Sequence, residues 1–174
     1  WVAHWADHHF TALWRMHALH HSQEELSVLT SFRAHPLSHL PGFLLASIPA
    51  FVLTGHRGIT PQLVTAYVCL GTIPHANLRW SFGPLGKLFV SPSYHRLHHA
   101  VDGPAGMNLG VVLTLWDVLA GRARFPDRRA PAPRTGLAGR PVPVEQAAGS
   151  LSLPRLLLRQ LCDPFRSLAV NDRS

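Results

Sequence analysis

His17-Ala18-Leu19-His20-His21 and, farther along, His95-Arg96-Leu97-His98-His99 repeat one pattern, HxxHH. A related cluster, His4-Trp5-Ala6-Asp7-His8, precedes them as HxxxH. Residues three and four apart share a helix face, with Cβ atoms roughly 5–6 Å apart. On helices, each cluster therefore aims two or three imidazoles at one point. Histidine is the commonest metal-ligating side chain, and eight of the 13 histidines lie in these clusters. Imidazoles buried together without metal would each need another hydrogen-bond partner. The recurrence of HxxHH argues against a chance histidine-rich tract. It predicts helices that converge on a shared metal centre.

Between the clusters the chain turns apolar. From Ala34 to His56, and again from Gly58 to Leu78, there is no Asp, Glu, Lys or Arg. Spanning a bilayer takes about 20 mainly apolar residues. Both segments approach that length, and both carry Pro and Gly, which membrane helices tolerate when neighbours re-satisfy the freed backbone groups. The expectation is a membrane hairpin at about residues 37–74, turning at Thr54-Gly55-His56-Arg57-Gly58. Fifteen of the 16 Lys and Arg residues lie outside that turn. The positive-inside rule then puts the ends of the hairpin, and all three clusters, on the cytoplasmic side. A soluble helical core is the alternative that the uneven charge distribution disfavours.

Composition bounds the rest. At 174 residues one domain is expected. Charged residues make up only 14%, against about 25% in typical soluble domains. The net charge of +7 suits an anionic membrane face. The basic residues are not interleaved with an aromatic stacking platform, so nucleic acid is not an expected partner. Cys69 and Cys162 form no CxxC motif. The chain opens at Trp1 with a candidate ligand at His4, so further helices are expected upstream. Residues 1 to about 24 read as helix, and residues 1–125 as the catalytic domain. A Pro/Arg-rich linker covers 126–150. The tail, 151–174, is a basic amphipathic helix suited either to an anionic interface or to packing on the domain. The fold class is all-α: an integral-membrane helical bundle with a cytoplasmic, histidine-rich di-metal cap.

Carboxylate-bridged di-iron bundles need several Glu residues and Glu-x-x-His pairs. The first 116 residues hold only Asp7, Glu24, Glu25 and Asp102 as acids. The ligands must be mostly imidazole, which suits Zn, Fe, Cu and Ni alike. Zinc sites take three or four protein ligands, so eight or more histidines imply two metals.

The order HxxxH, HxxHH, apolar hairpin, His-x-Asn, HxxHH resembles the fatty acid hydroxylase / sterol desaturase superfamily, membrane-embedded non-haem di-iron oxygenases. Leu13 to Ser22 is similar to its second motif. Ser91 to His99 is similar to its third, especially in the branch of alkylglycerol monooxygenase and its bacterial relatives. Asn108-Leu109-Gly110 and Leu115-Trp116-Asp117 resemble downstream elements of the family. The resemblance covers Trp1 to about Pro126. It implies His4, His8, His17, His20, His21, His95, His98 and His99 as metal ligands, with His75 of Pro74-His75-Ala76-Asn77 as a ninth. Asp7, Asn77, Asn108 and Asp117 are expected to orient the ligands, Asp117 alternatively pairing with Arg96. His35 is assigned a structural or interfacial role, and His9, His39 and His56 none in the metal site. The implied cofactors are two Fe ions, with Zn a possible substitute and O₂ as co-substrate. The implied partners are a lipid substrate, a membrane (bacterial inner membrane) and a separate electron-donor protein. The implied reaction is hydroxylation or desaturation of a lipid C–H bond. Trp5 stands where the family often has Arg, and Gly121-Arg122 where it usually has Gly-Thr; both departures bear on the substrate more than on the metal. A Zn-dependent hydrolase or isomerase and a non-catalytic metal-binding remnant are the rival readings.

Overall fold

The computed structural model describes residues 1–55, 60–127, 129–137 and 153–166. Among them the chain is mostly helical, with no strand beyond two isolated bridges, Phe89–Leu113 and Ala100–Thr135. The N-terminal stretch expected as one helix is two, α1 (Val2–His9) and α2 (Thr11–His21), separated by Phe10 in extended conformation (φ −94°, ψ 122°). The break has a geometric reason. At 100° per residue, His8 and His17 would face opposite sides of an unbroken helix. Reversing the chain at Phe10 lets both helices present their histidines inward.

After α2 a 3₁₀ turn (Val28–Phe32) is closed by a Ser27–Thr30 capping box, in which the Ser27 amide donates to Thr30 Oγ1 at 2.9 Å. Arg33 binds the end of α2, donating to Ser22 Oγ at 3.2 Å and to the Leu19 carbonyl at 3.4 Å. A second 3₁₀ turn (Pro36–His39) leads into α3 (Leu40–Gly42), a π-helical turn (Phe43–Ser47) and α4 (Ile48–Leu53). Pro49 has no N–H to give to a carbonyl one turn back, a recurrent cause of such widened turns.

The stretch Pro36–Leu53 is 18 residues long, with mean hydropathy 1.5 and only 11% of it buried. The returning helix α5 (Pro61–Thr72) has 12 residues and passes into a 3₁₀ turn at Ile73–His75. At 1.5 Å per residue it reaches roughly 18 Å, short of the ~30 Å hydrocarbon core. Among the described residues, then, one helical stretch is long and apolar enough to cross a membrane, where the sequence suggested two arms. His56, Arg57 and Gly58 of the expected turn lie outside the described residues.

The remaining helices are α6 (Pro92–His98), α7 (Leu115–Leu119) and α8 (Leu153–Arg166). Ser91 caps α6, its Oγ accepting from the Tyr94 amide at 3.2 Å, with Pro92 at the first helical position, where its missing N–H costs nothing. Among the described residues the buried set is small in apolar side chains (Ala6, Leu19, Leu26, Val90, Tyr94, Leu109 and Leu156) and rich in histidine. Residues 129–137 lie along the body: the Val101 amide donates to the Arg134 carbonyl at 2.9 Å, and Thr135 Oγ1 donates to the Glu24 carbonyl. Of the expected linker, 138–150 lies outside the described residues. Helix α8 docks through buried Leu156 and through His35, whose Nε2 donates to the Leu161 carbonyl at 3.2 Å. Leu157, Leu158, Leu161 and Phe165 stay exposed.

Candidate metal centre

The two HxxHH helices divide their histidines in a matched way. In α2, His17 and His21, a full turn apart, join His4 and His8 of α1 and His98 of α6 in one group. The remaining member, His20, joins His75, His95 and His99 in a second. In α6, correspondingly, His95 and His99 go to the second group and His98 to the first. Each HxxHH motif thus gives its i, i+4 pair to one centre and its i+3 residue to the other. This division explains why the motif needs three histidines, whereas α1, which serves one centre, needs only HxxxH. Within each group one nitrogen per residue lies within 4.8 Å of all the others. The centres adjoin: the rings of His21 and His99 stack at 4.3 Å, one from each group.

The donor set fits metal. Nε2 of His4 and His17 are 3.2 Å apart, those of His75 and His20 3.0 Å, of His95 and His75 3.0 Å, and of His99 and His95 3.2 Å. Ligands 2.0–2.1 Å from one ion sit about 3.0 Å apart at a right angle and about 3.4 Å apart at the tetrahedral angle. Three more buried nitrogens, Nε2 of His8, His21 and His98, have no hydrogen-bond partner; Nδ1 of His95 and His99 is also unpartnered, but a metal held on their Nε2 would leave it so. Such orphans are rare unless something else satisfies them. Burial, the dominant cause throughout, pulls His4 and His20 down to about 4, His75 to about 3 and His8 to about 2. It holds His17, His21, His95, His98 and His99 well below the usual histidine range. At neutral pH all nine imidazoles are uncharged, the form that ligates metal.

Orientation comes from backbone carbonyls. Nδ1–H of His4 donates to the Leu109 carbonyl at 2.8 Å, that of His98 to Met107 at 2.9 Å and that of His20 to Thr30 at 3.1 Å. His75 Nδ1 lies 2.8 Å from Ser31 Oγ and 3.3 Å from the Gly71 carbonyl. These bonds fix the tautomer and turn Nε2 toward the centre.

Among the described residues, the four side chains expected to orient the ligands form no hydrogen bond to a histidine. Asp117 is fully buried and works one step away. Its Oδ1 accepts from Trp1 Nε1 (2.7 Å) and the Leu109 amide (2.8 Å), its Oδ2 from the Gly110 amide (2.8 Å) and the Tyr94 hydroxyl (2.9 Å). Asn108, with a left-handed φ of 55°, donates to the carbonyls of Tyr94 and Arg124 at 2.9 and 2.8 Å and accepts from the Arg124 amide at 2.6 Å. Together they hold the loop 107–110, whose two carbonyls face His98 and His4. Arg96 donates to Asn77, not to Asp117. Asp7 is buried, receives no hydrogen bond at Oδ1, and is pushed up to about 7 by that burial.

Beyond the two groups, His9 stacks on Trp5 at 4.5 Å, His35 caps the Pro36–His39 turn, and His39 is exposed. His56 lies outside the described residues. The residues that sequence reading missed are Thr30, Ser31, Met107, Leu109 and Tyr94. All but Ser31 and Tyr94 act through backbone carbonyls, which side-chain identity does not reveal.

The Fatty acid hydroxylase family model matches residues 1–122. The chain belongs to the fatty acid hydroxylase family. The matched span contains all nine clustered histidines and Asp117. Among relatives, the ornithine lipid hydroxylase OlsE of Rhizobium tropici is 33% identical over 129 residues, covering 74% of this chain and 39% of its own length. An alkylglycerol monooxygenase of Caenorhabditis elegans is 29% identical over 122 residues, 67% of this chain and 23% of its own. A very-long-chain aldehyde decarbonylase of Oryza sativa subsp. indica is 35% identical over 108 residues, 55% of this chain and 17% of its own. The chain therefore spans well under half the length of these fatty acid hydroxylase relatives. No solved structure matches it.

Proposed function

We propose that this chain carries the metal centre of a membrane-bound, O₂-dependent lipid hydroxylase. The observation that carries the reading is the pair of adjoining groups of neutral imidazoles, seven buried and two (His4 and His8) half-buried, with orphaned nitrogens. His4, His8, His17, His21 and His98 would hold one iron, and His20, His75, His95 and His99 the other. Two irons bound there would supply reductive activation of O₂ and attack on an unactivated C–H bond, with electrons from a separate donor protein.

The protein's own part is placement and exclusion. The carbonyls of residues 30, 107 and 109 hold ring nitrogens in one tautomer. Asp117 and Asn108 keep the loop 107–110 in place, and burial keeps water from the ligating face. The exposed apolar stretch Pro36–Leu53 and helix α5 would sit in a bilayer, one crossing and one dipping into it, with the metal cap at the cytoplasmic face of a bacterial inner membrane. The exposed leucines of α8, flanked by Arg155 and Arg159, suit a helix lying on that interface. In this organisation residues 1–125 form the catalytic unit, 126–150 a linker and 151–174 the interfacial tail. The names of two of the three relatives, an ornithine lipid hydroxylase and an alkylglycerol monooxygenase, favour hydroxylation over desaturation.

The test is O₂ uptake by Fe(II)-reconstituted protein in nanodiscs, prepared with whatever native sequence flanks this chain. The expected result is uptake that requires both reductant and lipid and yields a hydroxylated product. Product formation without O₂ or reductant would mean a hydrolase or isomerase. Metal uptake with no turnover of any lipid would mean a binding remnant.

A further inference from the structure

Away from the histidines, a cavity of about 530 Å³ opens between residues 78–83, the outer face of α6 and residues 126, 127 and 130–133. Ser93, Arg96 and Leu97 line it. At 100° per residue this face of α6 points away from His95, His98 and His99, so the cavity is distinct from the metal centre.

Its wall carries two guanidinium groups with spare capacity. Arg79 donates to the Ala130 carbonyl at 3.1 Å, and Arg96 to Asn77 Oδ1. Each has five N–H donors; among the described residues neither forms a close ion pair, although Arg96 feels the charge of Glu25. The cavity's one carboxylate, Asp127, turns its Oδ1 to the Arg129 amide at 2.9 Å. Trp80 and Phe82 complete the wall. Trp80 is 59% exposed, and Phe82 holds a left-handed φ of 57°, uncommon for a bulky residue. The arginine fork matches phosphate and carboxylate oxygens, and two of them line one cavity. The aromatic wall offers an apolar surface beside them. The cavity also begins six residues after α5 ends at Thr72, where the chain leaves its apolar segment. Arginine and tryptophan together are typical of that headgroup level.

We infer that this cavity binds the anionic head of a lipid, its phosphate or carboxylate held by Arg79 and Arg96 and its glycerol region against Trp80 and Phe82. The anion chemistry stands on the cavity alone. The choice of a lipid over a free anion rests on the membrane reading of the hairpin.

The test is isothermal titration of the detergent-solubilised chain with dihexanoylphosphatidylglycerol, dihexanoylphosphatidylcholine and inorganic phosphate. Phosphatidylglycerol should bind about tenfold or more tighter than phosphatidylcholine, and Arg79→Gln should weaken it about tenfold. Arg96→Gln should do the same, and added salt should weaken binding further. Metal content of Arg79→Gln should match wild type, which separates this site from the histidine centre whatever the fate of the hydroxylase reading. Equal binding of both lipids, or wild-type affinity in both variants, would overturn the site. Arginine-dependent binding of inorganic phosphate as tight as that of phosphatidylglycerol would overturn the lipid source.

Discussion

Replacing Asp117 by Asn probes how the candidate metal centre is held from behind. The carboxylate is fully buried and accepts four hydrogen bonds, two on each oxygen. Asparagine keeps one acceptor oxygen and turns an NH₂ toward two donors. Hydrogen bonds to a charged group contribute about 1.5–3 kcal/mol each, so losing two costs roughly 3–6 kcal/mol. At about 2–4 °C per kcal/mol for a chain of this size, Tm falls by roughly 6–24 °C. The damage is also local. Leu109 and Gly110, the amides that Asp117 holds, belong to the loop whose carbonyls receive His4 and His98, both of the first centre. Metal analysis of the Asp117→Asn variant should therefore show preferential loss from the first centre, with His20, His75, His95 and His99 keeping theirs. Tyr94→Phe, which removes one donor, should cause a smaller shift in the same melting assay. An Asn variant that melts with wild type and keeps its full metal content would refute the idea that this carboxylate holds the loop.

Other outcomes rest on the same geometry. At Asn108, Gly loses the side-chain bonds but tolerates φ of 55°, while Ala loses them and is strained by about 1–2 kcal/mol. Urea midpoints should rank wild type above Gly above Ala, and the reverse order of the two variants would contradict the left-handed assignment. Acid should destabilise the metal-free protein. His4 and His20 titrate near 4 when folded, below the ~6.5 of the unfolded chain, so the unfolded state takes up protons first as pH falls. Asp7, raised to about 7 when folded, works the other way and adds stability as pH falls below about 7. The nine depressed histidines outweigh it, so stability should decline from about pH 6 toward pH 4, by about 2 kcal/mol at pH 5 for each group near 4. A chelator-treated sample growing more stable on acidification would contradict this. Metal at a hundredfold excess over Kd should add about 2.7 kcal/mol per site, so removing it should lower Tm by roughly 5–11 °C for each site.

Much of the site was legible because ligand spacing is a property of the helix. HxxHH and HxxxH fix which imidazoles share a face before any tertiary contact is known, and His75 was expected as a ninth from the family resemblance of Pro74-His75-Ala76-Asn77 rather than from spacing. The split of each HxxHH between two centres was not legible, because it depends on how α1, α2 and α6 cross. The break at Phe10 was hidden for a similar reason: nothing in His9-Phe10-Thr11 is a strong helix breaker, and the requirement for it arises from the nine-residue separation of His8 and His17. Asp117 and Asn108 were noticed, but their reach to the histidines runs through the backbone of residues 107–110, and carbonyl direction leaves no mark in side-chain identity. The apolar segments announced exposed helices, yet their lengths depended on where Pro61 starts α5 and where Ile73 tightens it.

The most direct test of the central claim, two adjoining histidine centres, is a metal-binding titration of the metal-free chain with Co(II) or Fe(II), run in parallel on His98→Ala and His95→Ala. Two equivalents for wild type are expected, with His98→Ala weakening one and His95→Ala weakening the other. A single equivalent in wild type, or the same site lost in both variants, would contradict it.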